Sequence, residues 1–204
     1  MWDLFLRAVD MLALFLLIAI FPIPFFWFLI HPAIRFWRRV GNLWYLMVLL
    51  VWGGFGMLLV REQQWVLAGR IPRSAWTWTI GAGLFFVAIW LELKRRRTFS
   101  PQLLLGVPEL KLGHPGGGLI RSGAYGYVRH PRYLACMITL LAFAALTGSA
   151  GYFSLAILSI LLYQIVAPLE ERELCARYGK AYEDYAREVP RFLPRLVRRR
   201  EPQV

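Results

Sequence analysis

Apolar residues fill most of the chain in five stretches, which are separated by short segments rich in basic residues, proline and glycine. A membrane-spanning helix needs about 20 apolar residues, and lengths of about 17–25 are tolerated. We therefore predict transmembrane helices at residues 8–30, 43–60, 74–93, 133–147 and 152–169. The expected fold class is all-α, an integral membrane protein with five transmembrane helices in a single domain that covers residues 1–204.

Turn-forming residues refine two of these predicted spans. Pro22 and Pro24 should kink the first helix or end it early, because proline cannot donate a backbone hydrogen bond. The Gly-Ser-Ala-Gly sequence at 148–151 separates the fourth span, which is short, from the fifth. We expect these two spans to form a tight helical hairpin.

Two polar segments, at 94–132 and 170–204, lie outside the predicted spans. Prolines and glycines break the first segment, which favours a cap with only short helical pieces. In the second, apolar and aromatic residues recur at helical spacing and predict an amphipathic helix from about Glu170 to Pro190. We expect that helix on the cytoplasmic side, over the hairpin or on the membrane surface.

Composition excludes an ordinary soluble domain, since 58% of the residues are hydrophobic and the mean hydropathy is +0.50. The net charge of +12 comes from basic residues that flank the apolar stretches. This arrangement indicates contact with anionic lipid and no nucleic-acid partner. Cys136 and Cys175 lack metal-ligand or disulfide spacing and are interpreted as free thiols, so no metal site is predicted. The start of the chain lacks a signal-peptide cleavage site.

The distribution of basic residues predicts the orientation in the membrane. With five spans, 20 of the 24 lysines and arginines fall on the side that carries the C-terminal end of the chain. Positively charged loops stay in the cytoplasm. We therefore expect a multi-pass protein with its N-terminus outside and its C-terminus in the cytoplasm.

Two polar blocks lie next to the predicted hairpin. The first, Gly118 to Tyr133, contains arginines, one histidine and three tyrosines and leads directly into the fourth span. The second begins with Glu170-Glu171 at the end of the fifth span and continues through Tyr-Gly-Lys-Ala-Tyr to Val-Pro-Arg-Phe-Leu-Pro. Such polar chemistry at a membrane boundary is costly and suggests a ligand site. Because the hairpin brings its two ends together, both blocks should meet there.

The order Arg-His-Pro-x-Tyr, Glu-Glu, Tyr-Gly-x-x-Tyr-x-x-Tyr and Val-Pro resembles the isoprenylcysteine carboxyl methyltransferase and phospholipid methyltransferase family. The resemblance covers roughly the last half of the chain. It implies an integral membrane enzyme that uses S-adenosylmethionine. The implied acceptor is lipophilic: an isoprenylcysteine-like carboxylate, a phospholipid amine or another small nucleophile.

Methyl transfer from a sulfonium requires mainly that the protein bind, orient and desolvate the reactants. A base is needed only when the acceptor carries a proton. The resemblance implies a cytoplasmic cofactor region at 94–132 and 170–204. By position, it implies a cofactor pocket formed by ten residues: Gly117, Gly118, Leu119, Ile120, Tyr125, His130, Pro131, Arg132, Tyr133 and Glu170. Arg129 and Glu171 are the candidate catalytic residues.

The chain departs from the family at two positions. Ala135 stands where glycine is frequent, two residues after the motif tyrosine. Val166 stands where the prenylcysteine enzymes tend to carry an arginine implicated in substrate contact, which argues against a prenylcysteine carboxylate.

Two other hypotheses remain open. One is an NADPH-dependent reductase of the sterol or steroid type, because those proteins share a similar C-terminal region. The other is a non-enzymatic membrane protein, since each motif alone also fits an interfacial anchor or a packing residue. The oligomeric state stays open.

Overall fold

The computed structural model describes residues 1–69, 71–96 and 118–194. Its named elements in those ranges are helical, which confirms the all-α class. The α-helices are α1 (Trp2–Ile20), α2 (Pro22–Ile30), α3 (Ile34–Val40), α4 (Trp44–Arg61), α5 (Gln63–Val66), α6 (Ala75–Arg96), α7 (Pro131–Thr147), α8 (Ala150–Tyr178) and α9 (Lys180–Glu188). Short 3-10 turns lie at His31–Ala33, Gly41–Leu43 and Gly123–Gly126.

Three helical segments of the described chain are long and apolar enough to cross a membrane. They are Trp2–Ala33, Ala75–Arg96 and Ala150–Tyr178. The predicted second and fourth spans correspond to the shorter apolar helices Tyr45–Arg61 and Pro131–Thr147. The total of five spans therefore stays a prediction.

The first long segment consists of α1 and α2, with the junction at Phe21. The backbone there stays helical, and Phe21 N–H donates to the Leu17 carbonyl at 2.8 Å. Pro22 occupies the first position of α2, where a helix tolerates the missing N–H. The prolines therefore interrupt the helix at the predicted place without reversing the chain.

The predicted hairpin is present as α7 and α8, which pack against each other. Gly148 ends α7 with a φ of 64°, and a Cβ at this position would collide with the Ile71 carbonyl. The Ser149 hydroxyl caps α8 by accepting from Tyr152 N–H at 3.1 Å, and it also donates to the Val66 carbonyl. The turn of the hairpin is thereby fixed to the segment after α5.

Among the described residues, two of the three clusters of buried side chains lie between the long helices, and the third surrounds α9. α6 lies along α7, where Gly81 faces Leu146 and Ala142 without room for a side chain. The first cluster joins α1 to this part of α7 and to α8. The second, which we call the lower apolar cluster, lies between α2, α7 and α8: Ile23, Phe26, Trp27, Ile30, Tyr133, Met137, Tyr163, Val166, Ala167 and Phe192.

The C-terminal helix differs from the prediction. A new helix was expected from about Glu170, but α8 continues through that position to Tyr178. Pro168 lies inside α8 and does not end it, and the actual break is Gly179, with a φ of 56°. α9 then buries Tyr182 and Tyr185 and ends before Pro190. The consequence is that Glu170 and Glu171 lie on a continuous helix, which fixes the direction of their side chains.

Candidate functional site

A buried histidine lies where α7 begins. Pro131 occupies the first turn of α7, so His130 precedes the helix, with φ and ψ of −122° and 63°. From there its imidazole reaches two consecutive residues of α8. Nε2 lies 3.0 Å from Glu171 Oε1, and Nδ1 lies 3.2 Å from Glu170 Oε2. The hairpin thus joins the two polar blocks, as the sequence predicted.

Two arginines complete the surroundings of Glu171. Arg191 binds this carboxylate with both arms of its guanidinium, at 2.8 Å from Nε and 2.7 Å from Nη2. Arg129 Nη1 lies 3.4 Å from Glu171 Oε1. A bidentate arginine fixes both the position and the plane of a carboxylate. Glu171 is therefore held on two sides before any ligand binds.

Backbone hydrogen bonds also join residues 129–130 to residues 190–191. Arg129 N–H donates to the Pro190 carbonyl at 2.8 Å, and His130 N–H donates to the Arg191 carbonyl at 3.2 Å. The segment after α9 thus runs alongside the residues that precede α7. This pairing explains why Arg191 reaches a carboxylate on α8.

Aromatic rings line the histidine on its apolar side. The imidazole of His130 is parallel to the Tyr133 ring, with 5.3 Å between ring centroids and 1° between planes. Phe192 lies 5.8 Å from the imidazole, and Tyr163 lies 4.7 Å from Tyr133. These three aromatic residues belong to the lower apolar cluster. The imidazole of His130 is therefore packed against apolar side chains on this side.

Burial and charge act in opposite directions on His130. Burial favours the neutral imidazole, but the charges and hydrogen bonds of Glu170 and Glu171 favour the imidazolium and raise its pKa above the usual 6.5. Burial also raises the pKa values of Tyr182 and Tyr185, so both phenols stay protonated at neutral pH. The two carboxylates therefore favour the protonated form of the imidazole between them.

The predicted site residues fall into two groups. The structure brings Arg129, His130, Tyr133, Glu170 and Glu171 into one cluster.

The other predicted residues lie around this cluster or away from it. Tyr125 joins from the preceding 3-10 turn, where its carbonyl accepts from the Tyr185 hydroxyl at 2.8 Å, and Pro131 starts α7. Arg132 lies in the first turn of α7, with Cys136 and Tyr163 in its electrostatic surroundings. Leu119 packs instead against the α9 side chains, Gly118 is exposed and Ile120 is half-buried. Gly117 lies outside the described residues.

Comparison with known proteins identifies the family. The profile of the phospholipid methyltransferase family matches residues 76–181, just over half of the chain. The chain belongs to this family. The matched range contains α7, α8 and all of α6 except its first residue, and therefore both His130 and the carboxylates of α8. The family predicted from the sequence motifs is confirmed.

Several curated relatives resemble shorter parts of this phospholipid methyltransferase family member. Methanethiol S-methyltransferase 2 of Bradyrhizobium diazoefficiens is 40% identical over 76 residues, which cover 37% of this chain and 29% of that protein. Protein-S-isoprenylcysteine O-methyltransferase of Schizosaccharomyces pombe is 33% identical over 79 residues, or 37% of this chain and 33% of that protein. A delta(14)-sterol reductase of Mus musculus is 35% identical over 83 residues, or 39% of this chain and 20% of that protein.

The chain thus matches no more than a third of the length of each of these three relatives. No solved structure matches it.

The donor set of this family member fits S-adenosylmethionine. Among the described residues, two buried polar atoms beside the cluster have no hydrogen-bond partner: Arg129 Nε and the Tyr182 hydroxyl. Buried polar atoms normally find partners, so unsatisfied ones at a site need an explanation. A cofactor with a carboxylate and ribose hydroxyls offers complementary groups for both.

Three residues with contacts in or near the cluster are not predicted by the sequence. Arg191 and Phe192 belong to the Val-Pro-Arg-Phe-Leu-Pro block, which is the sequence signal for them, but nothing in that block indicates that they reach Glu171 and His130. The third is His31, whose Nδ1 lies 2.9 Å from Glu173 Oε2 across 142 residues of sequence. No local pattern predicts such a contact.

Proposed function

We propose that this protein transfers a methyl group from S-adenosylmethionine to a lipophilic acceptor at the cytoplasmic face of a membrane. The observation that carries the proposal is the cluster of His130 with Glu170 and Glu171, buried where α7 meets α8 and bordered by the lower apolar cluster. Charged groups are costly to bury at a membrane boundary, so their concentration beside apolar side chains is typical of a site for a ligand with polar and apolar parts.

The polar part of the site suits the cofactor. Glu170 would accept from the ribose hydroxyls or the amino group, and Arg129 would bind the methionine carboxylate. Tyr133, stacked on His130, would support the imidazole on its apolar side. When bound, S-adenosylmethionine supplies a reactive methyl and a leaving group, and the chain binds, orients and excludes water.

Glu171 has a different role in this proposal. It was expected to be catalytic, but His130, Arg129 and Arg191 already engage its two oxygens. We assign it to holding His130 and the C-terminal segment in place. The remaining predicted pocket residues, at 117–120 together with Tyr125, Pro131 and Arg132, stay predictions.

The proposed topology has five spans in one domain, with the N-terminus outside and the C-terminus in the cytoplasm. It is supported by the excess of basic residues on one side and by the shorter apolar helices α4 and α7. This arrangement places His31, the end of α6, His130 and Glu170 on the cytoplasmic side, where a soluble cofactor has access.

A second candidate function is an NADPH-dependent reductase. One observation favours it, namely the similarity to the delta(14)-sterol reductase over 83 residues. The arginines near α7 would then face the 2′-phosphate of the cofactor. The family profile and the relatives named as methyltransferases favour methyl transfer.

Thermal unfolding in detergent distinguishes these functions. We expect S-adenosylhomocysteine to raise the Tm and NADPH to leave it unchanged, because a ligand that binds only the folded state stabilises it. Glu170→Gln should weaken binding about tenfold or more, since a hydrogen bond to a charged group contributes about 1.5–3 kcal/mol. The matched control is Glu62→Gln, which removes a half-exposed carboxylate between α4 and α5. A Tm shift with NADPH alone would establish the reductase instead.

A further inference from the structure

The two polar atoms that the cofactor would satisfy belong to different parts of the chain. Arg129 precedes α7, whereas Tyr182 lies on α9, and both Arg129 Nε and the Tyr182 hydroxyl are buried. The whole Tyr182 side chain is buried as well, with 1% of the residue exposed. A ligand therefore reaches these two atoms only when a part of the protein that covers them moves.

Residues 119–130 and residues 180–192 face each other, and we call the contact between them the loop–α9 interface. Its inner end is closed by backbone and ionic contacts. Arg129 and His130 donate their N–H groups to the carbonyls of Pro190 and Arg191, and Arg191 binds Glu171 with both arms of its guanidinium. Hydrogen bonds to charged groups and bidentate pairs are the strong ones. This end of the interface should therefore stay closed.

The outer end of the loop–α9 interface is closed by two reciprocal side-chain contacts. Arg121 donates to the Ala181 carbonyl of α9, and its guanidinium lies 5.8 Å from the centre of the Tyr185 ring. In the opposite direction, the Tyr185 hydroxyl donates to the Tyr125 carbonyl at 2.8 Å. Leu119 packs beside these contacts against the aromatic side chains of α9. We call this pair of contacts the Arg121–Tyr185 clasp.

The clasp is weaker than the inner end of the interface. Arg121 is exposed, so water competes for its hydrogen bond, and a cation–π contact contributes little at an exposed site. Parts of a protein that open locally are those with few buried contacts and exposed hydrogen bonds. Opening of the loop–α9 interface should therefore begin at the clasp, while residues 129–130 and 190–191 stay paired.

We propose that the Arg121–Tyr185 clasp is a gate, which opens to admit S-adenosylmethionine to the buried cluster and closes to retain it. This inference rests on the proposed methyltransferase function and concerns access to that site. Closure over a ligand commits it to the site and excludes water. Arg121 and Tyr185 are positioning residues in this proposal, because they hold the interface closed without contacting the cofactor.

A gate affects binding rates differently from binding affinity. The clasp contacts close the interface whether or not a ligand is inside, so their loss destabilises the free and the bound closed states equally. A change that affects both states equally leaves the equilibrium between them unaltered. Both the association and the dissociation rate constants should therefore rise by the same factor, and the Kd should stay nearly constant.

The test measures the rates at which radiolabelled S-adenosylhomocysteine binds to and leaves the purified full-length protein in detergent. Arg121→Ala and Tyr185→Phe should each raise both rate constants about fivefold, the factor that corresponds to one hydrogen bond of average strength. The Kd should change by less than about twofold. Tyr182→Phe, which removes a proposed cofactor contact, should raise only the dissociation rate constant and therefore the Kd.

Arg177→Ala is the matched control for Arg121→Ala. Arg177 is also an exposed arginine, and its guanidinium lies 5.2 Å from the centre of the Tyr178 ring. Both residues of this pair belong to α8, so the contact does not cross the loop–α9 interface. Both rate constants of Arg177→Ala should equal those of the unaltered protein.

Two results would overturn the gate. One is unchanged rate constants in both clasp variants. The other is faster dissociation at an unaltered association rate, which is expected of residues that only stabilise the bound state. Should Arg121→Ala fail to fold, Tyr185→Phe, which removes a single oxygen atom, decides on the same criteria. Failure of the unaltered protein to bind S-adenosylhomocysteine rejects the proposed function and the gate with it, whereas binding with the same rates in all variants rejects the gate alone.

Discussion

His130 contacts Glu171 at 3.0 Å across 41 residues of sequence, and this contact links the start of α7 to the C-terminal part of α8. The same carboxylate receives Arg191 from the segment after α9. Three separate parts of the chain therefore depend on one side chain. Its surroundings can be tested by substitution and by pH.

Arg191→Ala should destabilise the folded protein by about 2 kcal/mol, because a bidentate charge-assisted hydrogen bond to a buried carboxylate is lost. Arg191→Lys should recover only part of this loss, since an ammonium group cannot bind both oxygens in the same plane. Thermal unfolding in detergent gives the comparison. Equal Tm values for all three proteins would mean that the Glu171 contact contributes no stability.

The raised pKa of His130 predicts how stability depends on pH. A group whose pKa is higher in the folded state stabilises fully below its unfolded pKa, here about 6.5, and this contribution is lost as pH rises through the folded value. The Tm should therefore fall as the pH rises from about 6 into the alkaline range. His130→Gln keeps a polar side chain but does not titrate, so its Tm should depend less on pH. An identical dependence in both proteins would assign the effect to other groups.

Two neighbouring tyrosines of α9 provide a matched pair. The Tyr182 hydroxyl is buried without a hydrogen-bond partner among the described residues, whereas the Tyr185 hydroxyl donates to the Tyr125 carbonyl at 2.8 Å. Tyr182→Phe should leave the Tm unchanged or raise it, yet weaken S-adenosylhomocysteine binding. Tyr185→Phe should lower stability by about 1 kcal/mol.

Unfolding curves and ligand titrations of the two phenylalanine variants separate these effects. If Tyr182→Phe binds the ligand as tightly as the unaltered protein, its hydroxyl takes no part in the cofactor site.

The contact between α6 and α7 predicts a difference between two glycines of the same helix. A Cβ on Gly81 would lie 2.6 Å from Leu146 Cγ and 2.9 Å from the Ala142 carbonyl oxygen, while a Cβ on Gly83 meets no atom within 4 Å. Gly81→Ala should cost about 1–3 kcal/mol through overpacking. Gly83→Ala should be neutral or slightly stabilising, because alanine favours the helix. Thermal unfolding checks both, and similar Tm values would contradict the close packing.

Much of the fold was predictable because apolar stretches and turn residues determine the positions of helices and turns through residues that are close in sequence. Glycine at position 148 and the flanking apolar runs predicted the α7–α8 hairpin, and the hairpin in turn predicted that His130 would meet Glu170. The end of the fifth span was not predictable from polarity. Glu170 marks the end of the apolar stretch, but the backbone of α8 stays helical until Gly179 allows a positive φ.

The other parts of the site depend on contacts between distant segments. Arg191 reaches Glu171 because the backbone at 190–191 pairs with residues 129–130. His31 reaches Glu173 because α2 packs against α8. Neither contact leaves a periodic pattern in the sequence, and each requires knowing which helices are neighbours.

The backbone pairing of Arg129 and His130 with Pro190 and Arg191 also constrains the order of biosynthesis. A chain emerging from the ribosome presents His130 and both glutamates well before residue 191 becomes available. Until then, the carboxylate of Glu171 lacks its bidentate partner. The cluster around His130 and Glu171 is therefore completed only after α9 has been synthesised.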